Sequence, residues 1–531
     1  MPEFLKQHTL KLTPLSPIHI GCGVDLEPTQ FVIDNNTLYA FEPAQVMLND
    51  LQRAELLKLA KQASIGGLQK FFKANNQAYR SDANEFIAVA PALAQEYEKK
   101  IGEVVQKEDN GGRVFNKFFL ERTISNPISK QPYIPATSVK GALRTGMIDA
   151  KNNGQRLEPG LKSNNVEKFH IGEFDEGMSR FIKLSDFMPT DNQPIARQIN
   201  YAVNRKKELK RDANGNEVQG KGISARKETI CPAQYRGFSA TVNIMDATHY
   251  PKWKSEFKAW VHACNQYHLP RWQQEMNVLI GRGFGSKTWC DTAEALIKQL
   301  HNQLTNGTVM LVRLGRYGGA ESKVLSGNGV AQIKIMQGRG QTAQYLSSTK
   351  TVWLSAQKDN AQTEMFPFGW ALIEIDPVND NAAIQSWCAT QSKNNPDPVA
   401  LKNAVQADKA QRRAELEQVQ AEKLQRQREQ AEQEAKELAE QQARTAKLAQ
   451  LSEAERAIQL YAEQLENAPM PKNPGGALFD NFRALIQQAQ TWTDADKKLL
   501  VDTIRPISKK LYIGKAEKEF KAALKLLAGE H

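Results

Sequence analysis

Three short segments of the chain pair glycines with cations at spacings that suit phosphate chemistry: PIHIGCG ending at Gly23, IPATSVKGALR ending at Arg144, and GRGFGSKT from Gly281 to Thr288. Glycine lets the main chain approach a ligand closely, successive N–H groups can face an oxyanion, and an adjacent Lys or Arg matches its charge. The second segment reads as a loop feeding a helix, whose N-terminus favours anions. Strands are expected to deliver the first and third to their loops. The shared chemistry is recognition of a nucleotide or nucleic-acid phosphate.

Spacing removes the nucleotide-enzyme readings. A phosphate-binding loop of the G-x-x-x-x-G-K-[ST] type needs glycine where this chain has Ser286, and no apolar strand ending in Asp follows to hold magnesium. The dinucleotide pattern G-x-G-x-x-G fails as well, because Gly281, Gly283 and Gly285 alternate singly. Hydrolytic motifs are missing too: the 8 histidines are scattered without HExxH, and there is no G-x-S-x-G. His19 reads as a structural or backbone-contacting histidine. Asp25 and Asp34 follow the first glycine loop, where a lone carboxylate is ordinarily a turn or cap residue; Asp25 is the one carried forward as a catalytic candidate. Cys22, Cys231, Cys264, Cys290 and Cys388 form no CxxC pair, which argues against a zinc site and a disulfide framework. No metal and no cofactor are expected.

The elements that must position these segments follow from composition. The chain has 531 residues with Lys+Arg 70 against Asp+Glu 59, enough length for several domains and enough positive charge to attract a polyanion. The first 12 residues lack a basic region followed by an apolar run, and no window of about 18 uncharged apolar residues offers a membrane span, so a cytoplasmic protein without membrane contact is expected. Up to residue 395 short β-rich runs (Thr9 to Leu15, Phe31 to Phe41, Gln332 to Met336, Thr351 to Leu354) alternate with helical stretches such as Ala44 to Gln62 and Ile384 to Thr390. This is an α+β body.

Residues 396–450 turn to Ala, Gln, Glu, Lys and Arg, a helical linker of about 75 Å if helical throughout. Leu416, Val419 and Leu424 hold no full heptad seam, so a solvated spacer is favoured over a coiled coil. Residues 451–531 read as a bundle of three or four helices, with capping spacings at Ser452/Glu455 and Thr493/Asp496 and a breaker at PMPKNPGG. Its lysines (Lys497, Lys498, Lys509, Lys510, Lys515, Lys518, Lys521, Lys525) either touch RNA or form a solvated face. In the body, Arg205 to Glu228 is a cationic insertion with a turn signal at Asn214-Gly215, suited to a β-hairpin or to an arm that orders on a polyanion. The neighbouring Tyr201, Tyr235 and Phe238 are either base-stacking or core residues.

The order LTPLSPIHIGCG, YIPATSVKGALRT, LIGRGFGSKT, VRLGRYGGAESKVL and PFGWALIEID resembles the RAMP superfamily of CRISPR effector proteins. More narrowly it is similar to the Csm-type subunit that caps the 3′ end of the guide RNA in type III complexes. The resemblance covers residues 1 to about 376, with Ala136 where the family often has glycine. It implies a ferredoxin-like or RRM-like RAMP core with insertions, possessing one or two such units. It also implies guide-RNA contacts from His19, Gly21 and Gly23; from Ser138, Lys140 and Arg144; from Gly281, Arg282, Gly283, Gly285, Ser286 and Lys287; and from a second glycine turn with Arg316, Tyr317, Gly318, Gly319 and Lys323. The implied partners are guide RNA, target RNA by proximity and other type III effector subunits. The alternative is an endoribonuclease of the same superfamily that processes guide RNA or cuts target with Asp25. The flanking GVDLEPTQFVID resembles the capping type, which is not a nuclease.

Overall fold

The computed structural model describes residues 5–107, 113–115, 118–156, 163–173, 177–209, 211, 214–215, 224–250, 252–327, 330, 332–336 and 340–530. They fold as two units, Met1–Arg413 and Ala414–His531. Along the first unit lie β1 (Leu5–Pro14), β2 (Gly21–Leu26), the hairpin β3 (Phe31–Asp34) and β4 (Thr37–Ala40), β5 (Glu85–Val89), β6 (Leu120–Thr123) and α1 (Ala136–Asn152). There follow β7 (Arg197–Lys206), β8 (Ala225–Ile230), β9 (Phe238–Met245), α2 (Phe257–Gly281), α3 (Lys287–Gln299), β10 (Val309–Arg313), β11 (Thr351–Ala356) and β12 (Trp370–Ile375).

The central sheet runs β9-β1-β12-β10 with every neighbour antiparallel, and the short strands Ile182–Leu184 and Met188–Pro189 extend it along β9. Along the chain the sheet and the two helices against it follow as β1, α1, the two short strands, β9, α2, β10 and β12. VMLVR in β10 and WALIEI in β12 are apolar at nearly every position, the pattern of strands buried on both faces. Alternate residues confirm this: Met310, Val312, Ala371 and Ile373 pack against α1 and α2, while Val309, Leu311, Trp370 and Leu372 pack with α3 and a second sheet. The helices α1 and α2 touch backbone to backbone at Gly146, where a Cβ would lie 2.8 Å from the Cys264 Cα.

The second sheet runs β2-β6-β8-β7-β5-β4-β3, with β11 added along the far half of β7. The run Phe31 to Phe41 is a hairpin rather than one strand, because Asn35 and Asn36 adopt φ of 46° and 57° and close a two-residue turn. The expected helix from Ala44 begins only at Asp50, where Asn49 makes a capping box with Gln52; Pro43–Gln45 is a single 3-10 turn. The third glycine segment is also delivered differently from expectation: it leaves the helix α2, not a strand, and enters α3.

The charged helix is α4 (Pro398–Ala449). Its first turns belong to the body, so the first unit runs past residue 395: Val405 is buried with Phe41, Phe72 and Tyr79, and Asp408 pairs with Arg80 at 2.8 Å. Farther along, Val419 and Leu424 are exposed, as expected without a heptad seam. In the second unit α5 (Glu453–Asn467), α6 (Ala477–Ala489), α7 (Asp494–Ile507) and α8 (Ala516–Leu527) enclose a core of Ile458, Tyr461, Phe479, Phe482, Leu500, Ile504 and Phe520. Ser452 and Glu455 form the expected capping box, and Thr493 accepts the Asp496 N–H. No helix among the described residues is long and apolar enough to cross a membrane.

Candidate nucleic-acid interface

Backbone hydrogen bonds lace three distant stretches into one surface. The chain leaves β1 through Leu15 to Ile20, leaves β10 through Leu314 to Gly319, and enters β12 at Gly369. The N–H of Gly369 donates to the Pro17 carbonyl, that of Leu314 to Gly369, and that of Arg316 to His19, at 2.9, 2.8 and 2.9 Å. Gly315, at φ +78°, sits so close that a Cβ there would lie 2.2 Å from the His19 carbonyl oxygen. The PIHI stretch and the second glycine turn, about three hundred residues apart, are thereby one structural feature, while Gly21 and Gly23, expected in a loop, lie in the strand β2.

Charged side chains collect beside this joint. Asp25 on β2, Glu121 on β6 and Lys227 on β8 are direct cross-strand neighbours, so their side chains share one face of the second sheet. Glu121 pairs with the Lys227 ammonium, and its other oxygen accepts from Arg316 Nη1 at 2.8 Å. Lys227 is 1% exposed and lies 5.4 Å from the ring centre of Tyr317, whereas the Arg316 side chain is 61% exposed. Burial first, and Arg316 second, push the Lys227 ammonium down to about 8. His19 is fully buried; its Nδ1–H donates to the Glu228 carbonyl at 2.7 Å, and burial pushes its imidazole down to about 4. The neutral ring therefore keeps a lone pair on Nε2, which has no hydrogen-bond partner and lies 3.9 Å from Glu121 Oε2.

Behind this row the sheet is stiffened by buried ions. Arg197 Nη1 bridges Glu85 and Glu228 at 2.8 Å each, Arg122 pairs with Glu85, and the Thr123 N–H donates to Glu228 at 3.2 Å. Burial raises the Glu228 carboxyl, against the pull of Arg197. A cluster of this kind holds strands in register, because removing one member strands the other charges away from water. On its other side the glycine turn borders a cleft of about 1050 Å³, lined by Tyr317, Gly318, Gly319, Trp353, Arg271 and Lys207 among others. Tyr317 packs on Trp353 and Phe368 at ring separations of 5.2 and 5.1 Å, so the turn is anchored by aromatic contacts.

The remaining expected residues lie in other neighbourhoods. Ser138 is in the first turn of α1, whose N-terminus already holds a carboxylate: Asp186 accepts the Ala136 N–H at 2.7 Å. Lys140 donates to the Ile182 carbonyl at 3.0 Å, and Arg144 pairs with Glu167. Burial lowers both cations. In the third segment, Gly281 ends α2, Arg282 caps it and stands over the Phe284 ring, and Gly283 is open to solvent at φ +62°. Gly285 bridges Met365, Ser286 is buried as the N-cap of α3, and Lys287 is exposed. This segment is a helix-to-helix connection tied to Met365. Lys323 is exposed just after the glycine turn.

Asp25 is exposed on an edge strand, not in a loop. Tyr201 and Phe238 are core residues, at 4% and 0% exposure, and Tyr235 is half-buried, its hydroxyl accepting the Asn381 N–H at 2.7 Å. The insertion between β7 and β8 is flanked by an antiparallel pair, but residues 210, 212–213 and 216–223 lie outside the described residues. In the bundle, Lys498, Lys509, Lys515, Lys518, Lys521 and Lys525 are exposed, while Lys510 donates to the Glu466 carbonyl.

Sequence reading missed Glu121 and the placement of Lys227. Lys227 was visible only as part of a cationic insertion, and nothing in FFLERT marks Glu121, because cross-strand register creates their meeting. Among the described residues no three His, Cys, Asp or Glu side chains converge as a metal site.

No curated protein matches this chain. In solved structures it is similar to Csm5 of T. onnurineus, at 14% identity over 68% of this chain and 99% of that one, with a TM-score of 0.39. It is also similar to a chain of a Csm-crRNA-target RNA ternary complex from a type III-A CRISPR-Cas system, at 14% identity over 69% and 100%, with a TM-score of 0.38. The family model of the RAMP superfamily matches residues 11–286, just over half of the chain, from within β1 to Ser286 of the third glycine segment, so the protein belongs to the RAMP superfamily.

Proposed function

We propose that this protein is a guide-RNA-binding subunit of a type III CRISPR ribonucleoprotein, of the kind that caps the 3′ end of the guide, and that it holds RNA without cutting it. Family membership supports the class of partner. The observation that carries the reading is the joint of the PIHI stretch with the second glycine turn, which presents exposed Arg316 and, through Tyr317 to Gly319, borders a large cleft. Such a surface suits a sugar-phosphate backbone. Its affinity comes from phosphates and tolerates changes of base, so binding weakens steeply with salt. Guide, target and neighbouring effector subunits are the partners in this reading. In this reading the protein is cytoplasmic.

Sequencing the RNA that co-purifies with the protein from its native host tests the proposal. Enrichment of CRISPR-repeat-derived RNA is the expected outcome, and RNA without such enrichment overturns it. The endoribonuclease alternative rests on the exposure of Asp25 next to Glu121. Labelled target RNA incubated with the assembled complex, wild type against Asp25→Ala, decides between them: spaced cuts abolished by the substitution would replace the binding reading with a cutting one.

A further inference from the structure

Glu121 lies among cations that the fold holds in place while leaving the carboxylate itself free to leave. Its side chain is 34% exposed and next to the edge strand β2, whereas Lys227 is buried under Tyr317 and cannot follow it outward. A buried ammonium without a counter-ion is costly, so departure of Glu121 is favoured where another anion takes its place. The two Glu121 oxygens engage Lys227 and Arg316 separately, the arrangement two oxygens of a phosphodiester would adopt. A second feature points to what accompanies that phosphate. His19 Nε2, in a fully buried ring, carries a lone pair with no donor and faces the Glu121 carboxylate at 3.9 Å. A ribose 2′-hydroxyl adjacent to the phosphate supplies such a donor, and deoxyribose does not.

We propose that Glu121 is an internal stand-in for an RNA phosphate, which displaces it to bind Lys227 and Arg316 while the neighbouring 2′-hydroxyl donates to His19. This rests on the RNA-binding reading above and adds to it the position of one nucleotide and the ionic state of the empty protein. The bulge between Gly21 and Asp25 leaves the approach open, since a Cβ at Gly23 would meet nothing within 4 Å. Asp25, opposite Glu121, leaves one negative charge at the rim of the site.

The test measures binding of a fluorescent oligouridylate and its deoxy counterpart to the whole 531-residue chain across a salt series. Glu121→Gln should bind RNA roughly 5- to 10-fold more tightly than wild type at low salt, and should bind RNA more tightly than its deoxy counterpart. Arg316→Gln added to Glu121→Gln should cancel most of that gain and reduce the slope of log affinity against log salt by about 0.7. Arg316 is chosen because its exposure spares the fold, whereas a substitution at buried Lys227 risks unfolding. The proposal is overturned if Glu121→Gln, at a temperature where circular dichroism shows it folded, binds RNA no more tightly than wild type, or if it binds RNA and DNA equally well. Failure of the guide-RNA reading is separate: a tighter Glu121→Gln together with host RNA lacking repeat-derived sequence would leave this phosphate site standing and discard the CRISPR role.

Discussion

Gly315→Ala is the substitution on which the account of the joint depends most directly. The residue holds φ +78°, where an L-residue costs about 1 kcal/mol relative to glycine, and its Cβ would lie 2.2 Å from the His19 carbonyl oxygen and 3.0 Å from its carbon. Relief requires the turn and the first loop to part by about 1 Å, an overpacking cost of roughly 1–3 kcal/mol. Parting also strains the 2.9 Å hydrogen bond from the Arg316 N–H to the same carbonyl, worth about 1 kcal/mol more. The expected loss is therefore about 3–5 kcal/mol. Gly283→Ala supplies the control: it has φ +62° but open space around its Cβ position, so only the conformational cost of about 1 kcal/mol applies. Urea denaturation followed by tryptophan fluorescence measures both variants, and RNA affinity at a denaturant-free concentration follows the joint itself. If Gly315→Ala costs no more than Gly283→Ala, the close packing of the two glycine stretches is not what holds this surface together.

Other expectations follow from single contacts. His19 is held neutral, with its folded value near 4 below the ordinary 6.5, so the unfolded chain takes up the proton first. The stability this preserves is present above pH 6.5 and lost as pH falls toward 4, on the order of 3 kcal/mol at the limit; His19→Gln should flatten that part of a stability-against-pH curve, leaving the contribution of similarly buried His268. Asp186→Ala removes the carboxylate that accepts the Ala136 N–H and should cost about 1 kcal/mol in urea denaturation. In the helical unit, Ser452→Ala breaks the capping box at the start of α5 and should lower the stability of residues 414–531 by about 1 kcal/mol, measured on the full chain by hydrogen exchange of the α5 amides.

Much of the architecture was legible because it is local. The breaker at PMPKNPGG, the capping spacing at Ser452 and Thr493, and the Ala, Gln, Glu, Lys and Arg run of α4 each act within a few residues, and each produced the element expected. Gly315 of VRLGRYGG was likewise recognisable as a place of close main-chain approach, since only the missing Cβ permits its contact with the His19 carbonyl, whereas Gly23 of PIHIGCG meets no neighbour within 4 Å. What the chain by itself could not display is which groups those places approach. Lys140 and Arg144 carry the charge a phosphate needs, yet folding turns them toward the Ile182 carbonyl and Glu167. Tyr201 and Phe238 have rings able to stack on bases, yet their strands face inward and bury them.

Conversely, Glu121 and Lys227 look unremarkable in sequence and become central because parallel pairing of β6 with β8 sets them side by side under Tyr317. Residue types and local spacing determined a basic α+β protein with glycine-rich turns, a solvated helix and a helical bundle. Tertiary structure alone decided which cations remain available, because pairing of charges across the sheet depends on strand register, and register is a property of contacts between residues far apart in the chain.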